Sequence, residues 1–189
     1  MKNYSFFIGI DVSKETLDFS LIIANIAQFH LQVTNDKKGI DLFIKEATVA
    51  TVKKRNNSFS FENSLFCMEH TGIYNNPLLN YLHLKQANIW LEQATQIKSS
   101  MGVSREKNDK IDSQKIGLYA YKNREDVKLW TPKREIMVEL DRLTALRERL
   151  VKTIKVLKTP LSDAKEFIDK RIRTADAVEL RKIALPIIN

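Results

Sequence analysis

At 189 residues the chain has room for one full core and an appended helical segment. Hydrophobic residues make up 43% and charged residues 29%, an ordinary globular composition that argues against a disordered chain. The formal charge of +8 favours a polyanionic partner, with nucleic acid first.

No apolar stretch approaches the ~18–20 residues a membrane span needs, and the N-terminus lacks a signal-peptide layout, so the expected location is the cytoplasm. The single Cys67 lies inside an apolar run and is expected to be a small core residue in a reducing compartment.

Residues 5–34 read as three strands. The first, 5–11, is an apolar run ending on Asp11. The second, 16–24, alternates as a half-buried strand, with Leu17, Phe19, Leu21 and Ile23 on one face. The third, 28–34, alternates through Phe29, Leu31 and Val33. Short linkers make the three an antiparallel meander. Asn35 or Asp36 can cap a helix to about 54, with Ile40, Phe43, Ile44 and Ala47 at helical spacing. After a polar connection, 64–69 is a fourth strand, expected parallel to the first by a right-handed crossover. A helix over 75–85, a short strand at 88–91 and a helix over 94–100 stopped by Gly102 follow. A basic loop then leads to a helix over 109–123, with Ile111, Ile116 and Tyr119 or Ala120 facing inward.

At Thr131-Pro132 the cap-plus-proline signal announces a new helix. Ile136, Leu140, Leu143, Arg147, Leu150, Ile154 and Leu157 alternate by four and three, a coiled-coil seam or one face of an intramolecular helical hairpin. Thr159-Pro160 predicts a restarted helix to about 173. The division expected is a catalytic domain over 1–130 and a helical coiled-coil arm over 131–189. The fold class is α/β: a ribonuclease H-like mixed sheet of about five strands with flanking helices, followed by that arm.

Three stretches place an acid where an apolar element meets a loop: Ile10-Asp11, Met68-Glu69 and Asn108-Asp109-Lys110-Ile111-Asp112. A buried strand has no reason to end on a carboxylate without a partner, because an unpaired one is costly to desolvate. In a ribonuclease H-like sheet the first and fourth strands are parallel neighbours ~4.8 Å apart. Asp11 and Glu69 would then share the carboxyl ends where open α/β sheets hold ligands. Asp109 and Asp112 share one helix face. Four carboxylates around one point need a cation, and hard oxygen ligands suit Mg²⁺ or Mn²⁺. Two such ions ~3.5–4 Å apart serve phosphodiester transfer. Lys14, Lys98, Arg105, Lys107, Lys110 and Lys115 surround the site in sequence and could track a phosphate backbone.

Each residue also has a bland reading. A strand-end Asp is often a turn residue, and Asp109 could cap its helix while Asp112 answers the helix dipole. The lysines could be solvated surface charges, His70 a hydrogen-bonded structural residue, and Trp130 the anchor of the arm.

The segments Ile8-Gly9-Ile10-Asp11-Val12-Ser13-Lys14, Met68-Glu69-His70-Thr71-Gly72, and Gln96-Ile97-Lys98 leading to Lys107-Asn108-Asp109-Lys110-Ile111-Asp112-Ser113 resemble the DEDD insertion-sequence transposases of the IS one-ten type, whose N-terminal domain is RuvC-like. The resemblance runs from about Phe6 to Pro132 and more loosely through the coiled coil. It implies that Asp11, Glu69, Asp109 and Asp112 are the catalytic, metal-binding acids of a DNA transposase. It also implies a guide (bridge) RNA as partner beside DNA, while the coiled-coil arm predicts a homo-oligomer. The family commonly has Thr before the third acid and Ala after the fourth, where this chain has Asn108 and Ser113. Family members carry a second, serine-bearing domain after the coiled coil. Nothing between Lys158 and Asn189 resembles it, so a fragment or truncated copy with an incomplete enzyme is expected. The competing readings are a RuvC-like structure-specific endonuclease using water and a non-catalytic nucleic-acid-binding dimerisation module. A sugar-kinase or actin-like ATPase shares the opening strand but would need glycine-rich phosphate loops that this sequence lacks.

Overall fold

A computed structural model of the chain describes residues 3–52, 58–101 and 108–163, together with Thr174, Val178 and Glu179. The chain forms two units, 1–131 and 132–189. In the first, strands β1 (Phe6–Val12), β2 (Thr16–Ile23), β3 (Ile26–Thr34), β4 (Ser64–Glu69) and β5 (Asn88–Glu92) make one sheet in the order β3-β2-β1-β4-β5. β1–β2 and β2–β3 pair antiparallel, while β1–β4 and β4–β5 pair parallel. This is the mixed ribonuclease H-like arrangement expected from the element order. Helices α1 (Lys37–Val52), α2 (Asn76–Leu84), α3 (Ala94–Met101) and α4 (Asp109–Lys122) flank the sheet, with a 3-10 turn over Gly72–Asn75 leading into α2.

Alternation along each strand sends successive side chains to opposite faces, and both faces are covered. Ile8, Ile10, Leu17, Phe19 and Leu21 pack with Ile40 and Phe43 of α1 and Leu78 and Leu82 of α2. The Phe19 and Phe43 rings stack at 4.1 Å. On the other face Phe7, Ile22, Leu65, Cys67 and Trp90 pack with Ile97 of α3 and Ile116, Tyr119 and Ala120 of α4. β2, expected to be half-buried, is buried along Leu17–Ile22 because α4 covers its polar face. There Ser20 Oγ and Ser113 Oγ lie 2.8 Å apart.

Asp36 is the cap of α1: its Oδ1 accepts from the Gly39 amide at 2.8 Å. Ala24 and Asn25, both at positive φ, form the two-residue turn between β2 and β3. Gly102, the expected stop of α3, lies outside the described residues.

The second unit contains α5 (Glu135–Asp163), and two expectations need correction there. The helix starts at Glu135 rather than in the turn after Thr131-Pro132, and the Met137 and Val138 amides donate to the Arg134 carbonyl. Lys133 and Arg134 would put cations in the first turn, at the positive end of the helix dipole. The helix also continues through Thr159-Pro160 instead of restarting. Proline's missing N–H removes one backbone bond, a loss that a helix of 29 residues can carry. The expected extension to 173 lies outside the described residues. Trp130 belongs to the first unit: its amide donates to the Ile89 carbonyl at 2.7 Å, and its ring meets His83 edge-on at 6.0 Å.

α4 rests on β1 backbone to backbone. A Cβ on Gly9 would stand 2.1 Å from both the Gly117 nitrogen and the Ser113 carbonyl oxygen. A Cβ on Gly117 would meet Ile22 Cγ1 at 2.6 Å and the Gly9 nitrogen at 3.1 Å. Gly9→Ala is therefore expected to destabilise the domain by about 3 kcal/mol, and Gly117→Ala by less, because an isoleucine side chain yields more readily than backbone. Urea unfolding measures both. Equal, small shifts in midpoint would contradict this close approach.

Candidate active site

The register aligns polar residues across the end of the sheet on the face that α4 covers. Gln32 of β3 lies opposite Asp18 of β2, and Asp18 lies opposite Asp11 of β1. Glu69 of β4 lies opposite Glu92 of β5. All five share that face by the alternation that puts Gly9 and Cys67 there. The β1–β4 ladder runs from Phe6↔Ser64 to Ile10↔Met68 and stops one step short of Asp11 and Glu69.

α4 brings the other two acids. Ser113 and Gly117 sit over Gly9, so the first turn of α4, with Asp109 and Asp112, extends toward the Asp11 end of β1. The helix is capped by Asn108, whose side chain accepts from the Lys110 amide at 3.0 Å. Capping therefore falls to Asn108, and Asp109 is exposed. Asp112 is partly buried, with Lys115 Nζ 3.1 Å from its Oδ1.

The charges of this group act on one another. Burial, followed by the negative charges of Asp109, Asp112, Glu69 and Asp18, pushes the Asp11 carboxyl up to about 6. Among the described residues no group of three or more His, Cys, Asp and Glu is gathered tightly enough to cage a metal ion. The donor chemistry nevertheless fits a hard divalent cation: the four residues offer carboxylate oxygens only, and a cation would relieve the repulsion that bears on Asp11.

Neighbouring acids have protein partners. Asp18, 3% exposed, has His30 Nε2 at 2.8 Å and Gln32 Nε2 at 3.0 Å. Glu92 accepts from the Gln93 amide at 2.8 Å and from Tyr119 Oη at 3.2 Å. Burial and Glu92 together push the Tyr119 phenol up to about 12. Cys67 is fully buried, and burial raises its thiol pKa well above the usual value.

Sequence reasoning missed Asp18, Glu92 and Asn75 and read Asn35 only as a candidate helix cap; Asn35 and Asn75 brace the loops after β1 and β4. Glu92 carried one signal, an acid just past a strand pattern, and Asp18 read only as a polar position of an alternating strand; register shows them aligned with Glu69 and Asp11. His70 Nδ1 accepts from the Gly72 amide at 3.4 Å, a local turn contact.

Of the basic residues, Lys14 is exposed on the β1–β2 turn, Lys98 on α3 and Lys110 at the start of α4, while Lys115 is held on Asp112. Arg105 and Lys107 lie outside the described residues. A groove of ≈ 590 Å³ lined by Lys37, Asp41, Pro77, Tyr81, Leu84 and Lys85 lies between α1 and α2 and contains none of the four acids.

Because the folded chain raises Asp11's pKa above its ordinary value, the protonated form favours folding. That contribution is complete below about pH 4 and lost as pH rises through about 6. In the absence of divalent ions, Asp11→Asn is therefore expected to be more stable than the wild-type chain at pH 7.5, by on the order of 1–3 kcal/mol. The gain should fade toward pH 4. Denaturant titrations across that range check it, and a gap independent of pH would contradict the crowding of charge around Asp11.

The family model DEDD_Tnp_IS110, described as a transposase, matches residues 8–164. No curated protein matches the sequence. Among solved structures, T. thermophilus RuvC in complex with a Holliday junction substrate has a TM-score of 0.41 at 10% identity, over 67% of this chain and 100% of that one. Since the family match takes in all four acids and most of the chain, the protein belongs to the DEDD transposases of the IS110 family.

Proposed function

We propose that the first unit is the catalytic domain of a DNA transposase that cleaves and transfers phosphodiesters using divalent metal ions bound by Asp11, Glu69, Asp109 and Asp112. The observation that carries this reading is the electrostatic convergence on Asp11 of three acids from β4 and α4, in a chain of the transposase family. Mg²⁺ or Mn²⁺, as one or two ions, suits such a donor set. The chemistry these ions supply is activation of the attacking oxygen and stabilisation of the leaving one.

The chain's own residues do the rest. β1 and β4 deliver two carboxylates from the rigid centre of the sheet, and α4 presents two more from its first turn. Lys115 offsets part of the charge of Asp112. Lys14, Lys98 and Lys110, and Arg105 and Lys107 by sequence, would contact backbone phosphates. A guide RNA, implied by family resemblance, would be a second polyanion for this basic chain.

The α5 arm is read as a self-association element. Ile136, Leu140 and Leu143 of the predicted seam are 65%, 54% and 57% exposed on a helix with charged residues between them. A second copy would cover such a stripe in a coiled coil. A DNA-acting protein of this kind would work in the cytoplasm, on the nucleoid. Among the described residues no helix is long and apolar enough to cross a membrane.

Cleavage of supercoiled and branched DNA with Mn²⁺ tests the reading. Alanine at any one of Asp11, Glu69, Asp109 or Asp112 should lower the rate by ~10²–10³-fold while DNA binding survives. Binding with no metal-dependent cleavage, unaltered by Asp11→Ala, would favour a non-catalytic nucleic-acid-binding module. Cleavage restricted to branched DNA, without strand transfer, would favour an endonuclease using water.

A further inference from the structure

The registered ladder between β1 and β4 ends at Ile10↔Met68, one residue short of Asp11 and Glu69, so the ladder itself does not hold the loops that follow these acids across the gap between the strands. Asp11 is paired toward β2 and Glu69 toward β5, away from each other. A different set of bonds crosses this gap. Asn35, the residue after β3, donates through Nδ2 to the Ser13 carbonyl at 2.9 Å and to the Tyr74 carbonyl at 3.0 Å. Ser13 is two residues beyond Asp11, in the loop that follows β1. Tyr74 is in the 3-10 turn that follows β4.

That turn is fastened in its own right to the Glu69 backbone. Asn75, 1% exposed, donates through Nδ2 to the Glu69 carbonyl at 2.9 Å. Its Oδ1 accepts from the Thr71 amide at 2.7 Å and from Thr71 Oγ1 at 2.9 Å. A continuous path therefore runs from the Asp11 loop through Asn35 and the turn to Asn75 and Glu69.

We propose that Asn35 and Asn75 form a clasp that sets the spacing of the Asp11 and Glu69 carboxylates. Asn35 is then a positioning residue for the divalent ion. This inference rests on the proposal that these acids hold that ion. The bonding of Asn35 supports a role beyond simple stabilisation. Both acceptors are carbonyls, so its amide orientation is fixed with Nδ2 toward them. Among the described residues its buried Oδ1 has no hydrogen-bond partner. A residue retained only for stability gains little from two bonds to carbonyls that water can reach, set against one buried acceptor left unpaired.

The test is a Mn²⁺ titration of the full chain, by calorimetry, with the thermal midpoint of the ion-free protein measured alongside. Asn35→Ala should bind Mn²⁺ about tenfold more weakly than the wild type, with its midpoint little changed, since it removes both the bonds and the unpaired acceptor. Asn35→Asp should also bind more weakly. Its carboxylate cannot donate to the two carbonyls, whereas the charge it adds beside the site would by itself attract a cation.

Wild-type affinity in both variants would overturn the clasp and leave the acid site standing. Affinity raised in Asn35→Asp, or a midpoint that falls in step with affinity in Asn35→Ala, would also overturn it, by reducing Asn35 to a charge effect or a structural brace. A wild-type chain that takes up no Mn²⁺ would overturn the metal reading itself, and the clasp with it.

Discussion

The domain depends on the seating of one helix on one strand. Gly9 and Gly117 let α4 approach β1 until backbone meets backbone, with the Ser113 carbonyl also against Gly9. Packing interiors are dense and do not deform freely, so a methyl group at the contact would displace the helix rather than be absorbed. The displacement would be passed directly to Asp109 and Asp112, one turn ahead of the contact. The hydrophobic face around it, from Phe7 and Ile22 to Ile116 and Ala120, supplies the adhesion. The glycines set where that adhesion places the acids.

The site is therefore a conflict that the fold holds in place. A buried strand, a neighbouring parallel strand and a helix N-terminus each deliver carboxylates to one end of the sheet, and burial makes their repulsion worse. The fold limits the cost by giving the surrounding acids partners: His30 and Gln32 for Asp18, Tyr119 for Glu92, Lys115 for Asp112. The raised Asp11 carboxyl marks where this compensation is incomplete. Perturbed groups of this sort gather where chemistry is done.

Much of this was legible in the chain. Apolar runs bounded by polar residues located β1 and β4, and the helix between β3 and β4 implied their parallel pairing. The three acidic motifs were readable from position alone. What escaped depended on register and on contacts distant in sequence. The polar side of β2 looked like a solvent face because nothing local says that Ser113 will come down on Ser20. Asn35 and Asn75 look like ordinary turn residues, since asparagine is common in turns for reasons unrelated to the loops they join. Gly117 reads locally as a helix weakness, and only the packed fold shows it as a point of contact. Of the two departures from the family's usual residues, Asn108 caps α4 as Thr could, and Ser113 gains a buried partner in Ser20 that Ala could not.

The central claim is that acids drawn from three distant segments share divalent cations. Anomalous diffraction from a crystal of the chain soaked in Mn²⁺ tests it most directly. The account predicts manganese held by Asp11 and Glu69 together with at least one of Asp109 and Asp112. Manganese bound elsewhere, or none at saturating concentration with these carboxylates well ordered, would contradict it.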